Sequence, residues 1–319
     1  MSAPKPIVIA HRGACGYLPE HTLEAKALAI GLGADYVEQD IVLTRDGVPI
    51  VTHDIFLEDV TDVAQRFPGR ARSDRHFYAI DFTLAEIRTL SRHERVHGED
   101  GAVFDRRFPA DSAANFAIVT LQEEISFVQG LNHSLKRNVG LYTEVKYPAW
   151  HREQGQDITR IVLEMLGQHG YRSREDKAYF QCFDALELQR ARRELGNELA
   201  FIQLIGENAW KESTTDYDAM RTEEGIAGVA AVADGIGPEI TQVVEWDADA
   251  TPVVSPLAAI AHRHGLAVHP YTHRIDSLPR HAPDSPAVLD ALFESARVDG
   301  LFTDFTDVVV SHLRARGRR

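Results

Sequence analysis

Eight short runs rich in Val, Ile and Tyr, separated by longer stretches with helical spacing, constrain this chain more than any other feature of it. The runs are Ile7–Ala10, Tyr36–Val42, Val139–Lys146, Ala178–Gln181, Phe201–Ile205, Asp234–Gly237, Leu266–Pro270 and Gly300–Thr303. Between them Thr22–Leu32, Leu121–Leu135, Asp157–His169, Asp184–Leu195, Pro256–His264 and Pro286–Ala296 repeat apolar residues at i, i+3 and i+4, and Asp184 stands where a helix N-cap belongs. Strands alternating with helices form a parallel sheet covered by helices. Eight such repeats predict an α/β fold, the TIM (β/α)8 barrel. A length of 319 residues would suit two ordinary domains, but barrels of this kind run past about 250 residues as one unit, so one barrel domain over 1–319 is expected.

The segment 54–117 breaks the period. It opens with a polar run holding Asp62, Arg66, Arg70, Arg72, Asp74 and Arg75, continues through a short helix near Leu84–Leu90 and ends in Gly- and charge-rich loops. It reads as a small subdomain inserted after strand 2, mounted on the hairpin that Asp46-Gly47 turns between Val42 and Val48. Such an insertion would lie over the barrel mouth, where barrel active sites are built.

Composition narrows the partners. With 34 Lys+Arg against 48 Asp+Glu the net charge is −14, which disfavours nucleic acid and anionic membranes. The best apolar run, Ile226–Ala233, falls well short of the 18 or so residues of a spanning helix, so no stable membrane association is expected. Met1–Pro6 leads straight into the first strand without a basic region and long apolar stretch; the expected compartment is periplasmic if a signal peptide has been removed and cytoplasmic otherwise. Cys15 and Cys182 fit neither a disulfide framework nor a metal-binding spacing. The basic tail Arg314–Arg319 is expected to be a solvated end. Oligomeric state is left open, a homodimer being one option.

Polar residues gather where barrel strands should end. Strand 1 ends in His11-Arg12-Gly13; strand 2 carries Glu38 and Asp40, two apart and so on one face; strand 3 carries Glu144 and Lys146 in the same relation. Strand 4 ends at Gln181, strand 7 at His269 with Tyr271 following, and strand 8 at Thr303-Asp304. Burying three unpaired carboxylates costs several kcal/mol each, which calls for a compensating cation. Glu38, Asp40 and Glu144 facing one centre make an oxygen-rich site for a hard divalent ion, Mg²⁺ or Ca²⁺. Two other arrangements stay open: a buried ion network with Arg12 and Lys146, or a mixed site in which those two bases grip an anionic ligand. His11 and His53, the latter ending the hairpin in Val51-Thr52-His53-Asp54, suit general acid–base catalysis beside such an ion. His21 is a further candidate; His93, His97, His133, His169, His262 and His264 read as surface or helix residues without a role. A cation, two bases and two imidazoles together suit phosphoester chemistry. Nucleophile-elbow, Walker, Rossmann and HExxH signatures are absent, which disfavours esterase, NTPase, dehydrogenase and zinc-protease readings.

Taken in order, His11-Arg12-Gly13, Pro19-Glu20-His21-Thr22, Glu38-Gln39-Asp40, Val51-Thr52-His53-Asp54, Glu144-Val145-Lys146 and Gln181-Cys182-Phe183 resemble the glycerophosphodiester phosphodiesterase family. The long insertion, with Val268-His269-Pro270-Tyr271-Thr272 and Gly300-Leu301-Phe302-Thr303-Asp304, looks most like its periplasmic bacterial branch. That resemblance implies a barrel with a small inserted domain and one divalent cation, Ca²⁺ favoured over Mg²⁺. It implies release of sn-glycerol 3-phosphate and an alcohol from small glycerophosphodiesters such as glycerophosphocholine and glycerophosphoethanolamine. Carried onto matching positions, Glu38, Asp40 and Glu144 would be metal ligands, His11 and His53 the acid–base pair, and Arg12 with Lys146 the phosphate grips, with Gln181 and Tyr271 as further substrate contacts. Cys15 departs from the small hydroxyl residue expected there. Tyr17, Phe56, Tyr147, Trp150 and Trp210 are candidates for holding a quaternary ammonium head group. Two alternatives remain: a phospholipase D-type lyase of the sphingomyelinase D kind that stops at a cyclic phosphate, and a non-catalytic phosphate-ester binding protein. The long insertion argues against the first, and the intact set of acids and histidines against the second.

Overall fold

The computed structural model describes residues 5–97 and 101–319. Its strands are β1 (Ile7–Ala10), β2 (Tyr36–Leu43), β3 (Pro49–Val51), β4 (Gly140–Val145), β5 (Ala178–Cys182), β6 (Ala200–Ile205), β7 (Gly235–Pro238), β8 (Val244–Trp246), β9 (Pro252–Val254), β10 (Ala267–Val268) and β11 (Gly300–Thr303). Eight of them run parallel in the order β10-β7-β6-β5-β4-β2-β1-β11. The two ends of this sheet come together through Asp299 N–H to Val268 C=O at 2.9 Å, Phe302 N–H to Pro270 C=O at 2.9 Å and His273 N–H to Phe302 C=O at 2.8 Å. The sheet is therefore a nearly closed eight-stranded parallel barrel, as the period predicts. β3 pairs antiparallel with β2 across the Asp46-Gly47 turn, where Gly47 takes the positive φ of 74° that favours glycine.

Two apolar layers hold it. Inside, Ile9, Tyr36, Tyr142, Ile202 and Phe302 fill the barrel beneath its mouth, and the Tyr142 hydroxyl meets His269 Nδ1 at 2.9 Å so that neither polar atom is stranded. Gly140 is required here, because a Cβ would stand 2.3 Å from the Tyr36 ring. Outside, Val8, Val37, Leu141 and Phe180 pack against helices such as Leu23–Leu32, Leu121–Leu135 and Ala185–Arg193. The last is capped by Asp184, whose carboxylate accepts from the Leu186 and Glu187 N–H groups.

Several local expectations give way. The single helix expected over Pro286–Ala296 is a helix Ser285–Asp290 followed by a wider π turn Ala291–Ser295. Helices Tyr217–Met220 and Glu223–Ala230 lie between β6 and β7; Gly225 and Gly228 weaken the apolar period of the second. The β8–β9 hairpin, with three residues per strand, is too short to show a period of two. The tail is not a solvated end: after helix Thr306–Ala315, Arg318 donates to the Phe293 carbonyl at 2.7 Å and Arg319 pairs with Asp35 at 2.6 Å. Among the described residues no helix is long and apolar enough to cross a membrane.

Within 54–117, Ile55, Leu57, Val63, Phe77, Phe82 and Ile87 gather on Val42 and Ile50 of the hairpin into an apolar cluster apart from the barrel's own. Its polar run is pinned rather than free. Arg72 takes both oxygens of Asp81 at 2.7 and 2.8 Å, and Arg70 sits 4.6 Å above the Phe82 ring.

Candidate active site

Beyond β1 the chain turns sharply through Arg12 and Gly13, with φ of 57° and 94°. A Cβ on Gly13 would stand 2.9 Å from the Ala25 backbone, so glycine lets the turn seat against the first helix. The turn presents the Arg12 N–H to Glu38 Oε2 at 2.6 Å. Register then aligns Asp40 of β2, Glu144 of β4 and Gln181 of β5 side by side. Glu38, Asp40 and Glu144 are all buried, and one carboxylate oxygen from each lies within 4.8 Å of the others.

Crowding three acids in a dry place shifts their proton affinities. Burial, then the charge of Asp40, raises Glu38 well above the usual carboxylate range, and burial lifts Glu144 to about 8 despite Lys146. Burial would raise Asp40 too, but the His21 hydrogen bond and the neighbouring positive groups hold it well below. His21 is thus brought to the site: wholly buried, its Nε2 lies 2.8 Å from Asp40 Oδ2. Lys26 supports the same strand from behind, donating to the Glu38 carbonyl and pairing with Glu124 at 2.9 Å.

Arg12 and Lys146 are already committed. Arg12 bonds Glu20 at 2.9 Å and approaches Asp40 at 3.4 Å; Lys146 bonds Glu144 at 2.6 Å and lies 3.3 Å from His53 Nε2. Glu38 has no basic side chain within ion-pair distance among the described residues. The arrangement is partly an ion network, and it leaves acceptor oxygens over: Asp40 Oδ1 and the Gln181 side-chain oxygen are buried without a partner. Hard oxygen donors with unspent lone pairs fit a divalent cation.

Both imidazoles are held by aspartates. His11 Nδ1 lies 2.7 Å from Asp304 Oδ1, and His53 Nδ1 lies 2.6 Å from Asp54 Oδ1. Burial, then the charge of Arg12, lowers His11 to about 4 and lowers His53 as well, so both rings are neutral near pH 7. The sequence reading gave no role to Asp304, which is 293 positions from His11; the signal was the pairing of first and last strands that barrel closure demands. It also missed a layer of arginines from the insertion and the late loop. Arg95 clamps Glu20 and Asp54 at 2.7 and 2.6 Å, while Arg107 and Arg274 hold Asp304 at 2.7 and 2.9 Å.

These groups open on a cavity of about 520 Å³. Gln181 lines it with its amide 3.5 Å from Glu38, the outer limit of a hydrogen bond. Tyr271 lines it too, but its hydroxyl is spent on the Ile205 carbonyl at 2.8 Å, so the ring rather than the hydroxyl is offered to a ligand. Of the five aromatic candidates only Trp210 is there. Tyr17 bonds Asp307, Phe56 stacks on His76 and Trp150 on Tyr78, and Tyr147 packs on the insertion's cluster; Phe183, which sequence reading passed over, lines the cavity instead. Cys15 is buried beside Arg107, with Sγ 3.9 Å from the guanidinium.

Residues 11–308 match the model of the glycerophosphoryl diester phosphodiesterase family. The chain belongs to that family. A glycerophosphodiester phosphodiesterase of Haemophilus influenzae is 42% identical, the match covering 97% of this chain and 90% of the relative. One from Treponema pallidum is 34% identical, covering 98% and 92%. A crystal structure of a candidate family member from Silicibacter pomeroyi superposes with a TM-score of 0.74 at 26% identity, covering 99% of this chain and 96% of that one. The barrel is thus the family's fold, and the chain is an enzyme that hydrolyses glycerophosphodiesters.

Proposed function

We propose that the enzyme cleaves small glycerophosphodiesters, such as glycerophosphocholine and glycerophosphoethanolamine, with one divalent cation held by Glu38, Asp40 and Glu144. The reading rests on three buried carboxylate oxygens within 4.8 Å of one another, facing a cavity that two aspartate-held imidazoles share. Ca²⁺ is favoured over Mg²⁺ on the likeness to the bacterial branch. In support, a phosphodiesterase from Oleispira antarctica with the same fold, TM-score 0.64 at 21% identity, was captured with sn-glycerol-3-phosphate as its product.

A cation here would neutralise phosphoryl oxygens and acidify a hydroxyl beside it. The protein's own groups do the rest. Asp304 accepts from His11 Nδ1–H, which leaves the Nε2 lone pair as the base. His11 takes the proton of the glycerol 2-hydroxyl as that oxygen attacks phosphorus, and Arg12 and Lys146 hold the phosphoryl oxygens. A bound phosphodiester anion raises the proton affinity of His53, so the protonated ring gives its proton to the departing alcohol oxygen. Water then opens the cyclic phosphate with the two roles reversed.

Calorimetry on chelator-stripped protein tests the site apart from turnover. The wild type should bind one equivalent of Ca²⁺, and Asp40→Asn should weaken binding at least tenfold with its circular dichroism unchanged. Equal affinity in the two proteins would remove Asp40 from the ligand set.

A further inference from the structure

The catalytic groups account for one side of the cavity; the wall that follows β5, β6 and β7 has no part in the bond-breaking step. Phe183 leaves β5 and Tyr271 follows β10, their rings meeting edge to face at 5.9 Å and 83°. Trp210 lies in the turn after β6, and it is 46% exposed, a large indole surface left open at the mouth. Gly206 makes this corner possible, because a Cβ there would stand 3.1 Å from the Trp210 ring and 3.3 Å from Phe183. Lys146 lies 5.4 Å over Phe183, so the open faces are those of Trp210 and Tyr271.

Two carboxylates border the same corner. Glu212 lies two residues past Trp210 in the same lining, and Glu239, which follows β7, accepts from the Thr241 hydroxyl at 2.9 Å. Both line the cavity, and neither is in an ion pair among the described residues. In the segment that continues from Tyr271, Arg274 is tied to Asp304, while Arg280 is exposed and in no ion pair among the described residues. The cavity therefore has an aromatic corner with two carboxylates in its lining.

Resting on the function proposed above, we infer that the Trp210–Tyr271 corner with Glu212 is the subsite for a cationic leaving alcohol. A trimethylammonium or primary ammonium group seated against the indole face gains from the ring quadrupole and from two carboxylates that are in no ion pair among the described residues. A neutral alcohol of similar size gains from neither. The enzyme should therefore favour cationic over neutral head groups, with the preference set on this wall and not by the histidines or the carboxylate cluster.

The test compares kcat/KM on glycerophosphocholine and on glycerophosphoglycerol for the wild type, Trp210→Leu, Glu212→Gln and the double variant. The choline-to-glycerol ratio should fall by roughly 5- to 30-fold in Trp210→Leu and further in the double variant. Glu212→Gln keeps shape and volume, and alone it should lower the ratio by a smaller factor. A ratio that stays constant, including one where both substrates decline in step, overturns the subsite and leaves the hydrolase reading intact. A folded wild type that cleaves neither substrate in any divalent cation overturns the underlying reading itself.

Discussion

Asp304→Asn keeps the shape of a buried side chain and removes one charge. At 2.7 Å from His11 Nδ1 the carboxylate can only accept, and so it fixes the imidazole tautomer that leaves Nε2 free. An amide in its place can donate to Nδ1 and stabilise the wrong tautomer. The expected loss in kcat/KM is roughly 10²–10⁴, the worth of a positioned general base. There is a structural cost as well, since Asp304 also receives Arg107 at 2.7 Å and Arg274 at 2.9 Å. Arg107 keeps both oxygens of Asp276, at 2.8 and 3.1 Å, so the stability loss should be held to roughly 2–4 kcal/mol from weakened charge-assisted bonds. Urea unfolding measures the second number and single-turnover kinetics the first. The deciding comparison is Asp304→Asn made in a His11→Ala background. If Asp304 acts through the ring, it should cost almost nothing there in rate while still costing stability. An undiminished second rate loss would refute the argument that Asp304 works by orienting His11.

The remaining expectations concern the second histidine and a buried one outside the cavity lining. His53→Ala should cost roughly 10²–10⁴ in kcat, least for substrates whose alcohol leaves readily without a proton; a glycerophosphodiester analogue lacking the glycerol 2-hydroxyl should resist cleavage, and full-rate cleavage would replace the cyclic route by direct attack of water. His151 is wholly buried with neither ring nitrogen partnered, and burial lowers it to about 4. Because the unfolded ring titrates near 6.5, the unfolded state binds the extra proton between these values, so wild-type stability present above pH 6.5 is lost as pH falls toward 4. His151→Leu should remove about 2.5 kcal/mol of that acid sensitivity, seen in urea titrations at pH 7 and pH 4.5. Parallel pH curves for the two proteins would contradict it.

The barrel was readable because its period is local: each βα unit announces itself within a few tens of residues. Glu38 with Asp40 and Glu144 with Lys146 were equally readable, since alternate residues on a strand share a face whatever the rest of the fold does. What escaped was long-range or conditional. Asp304 joins His11 only because β11 closes on β1, and Arg95 and Arg107 join the site only because the insertion folds back over the mouth. Tyr271 was placed on the cavity without the knowledge that its hydroxyl is engaged by the backbone. The aromatic candidates fared worst. Tyr17, Phe56 and Trp150 pack on partners that sequence proximity does not reveal, whereas Phe183 reaches the cavity simply by following a barrel strand. Residues alternating on one strand were legible; those brought in by closure of the barrel or by the fold of the insertion were not.

The central claim is that hydrolysis depends on a cation held by Glu38, Asp40 and Glu144. It is tested most directly by sn-glycerol 3-phosphate release from glycerophosphocholine in a coupled assay. The enzyme is first stripped with chelator, then given back Ca²⁺ or Mg²⁺, with Glu144→Gln run alongside. Activity that vanishes on stripping and returns with one ion, Ca²⁺ before Mg²⁺, in the wild type but not in Glu144→Gln, is the predicted result. Full activity in the stripped enzyme, or equal recovery in the variant, would contradict the account.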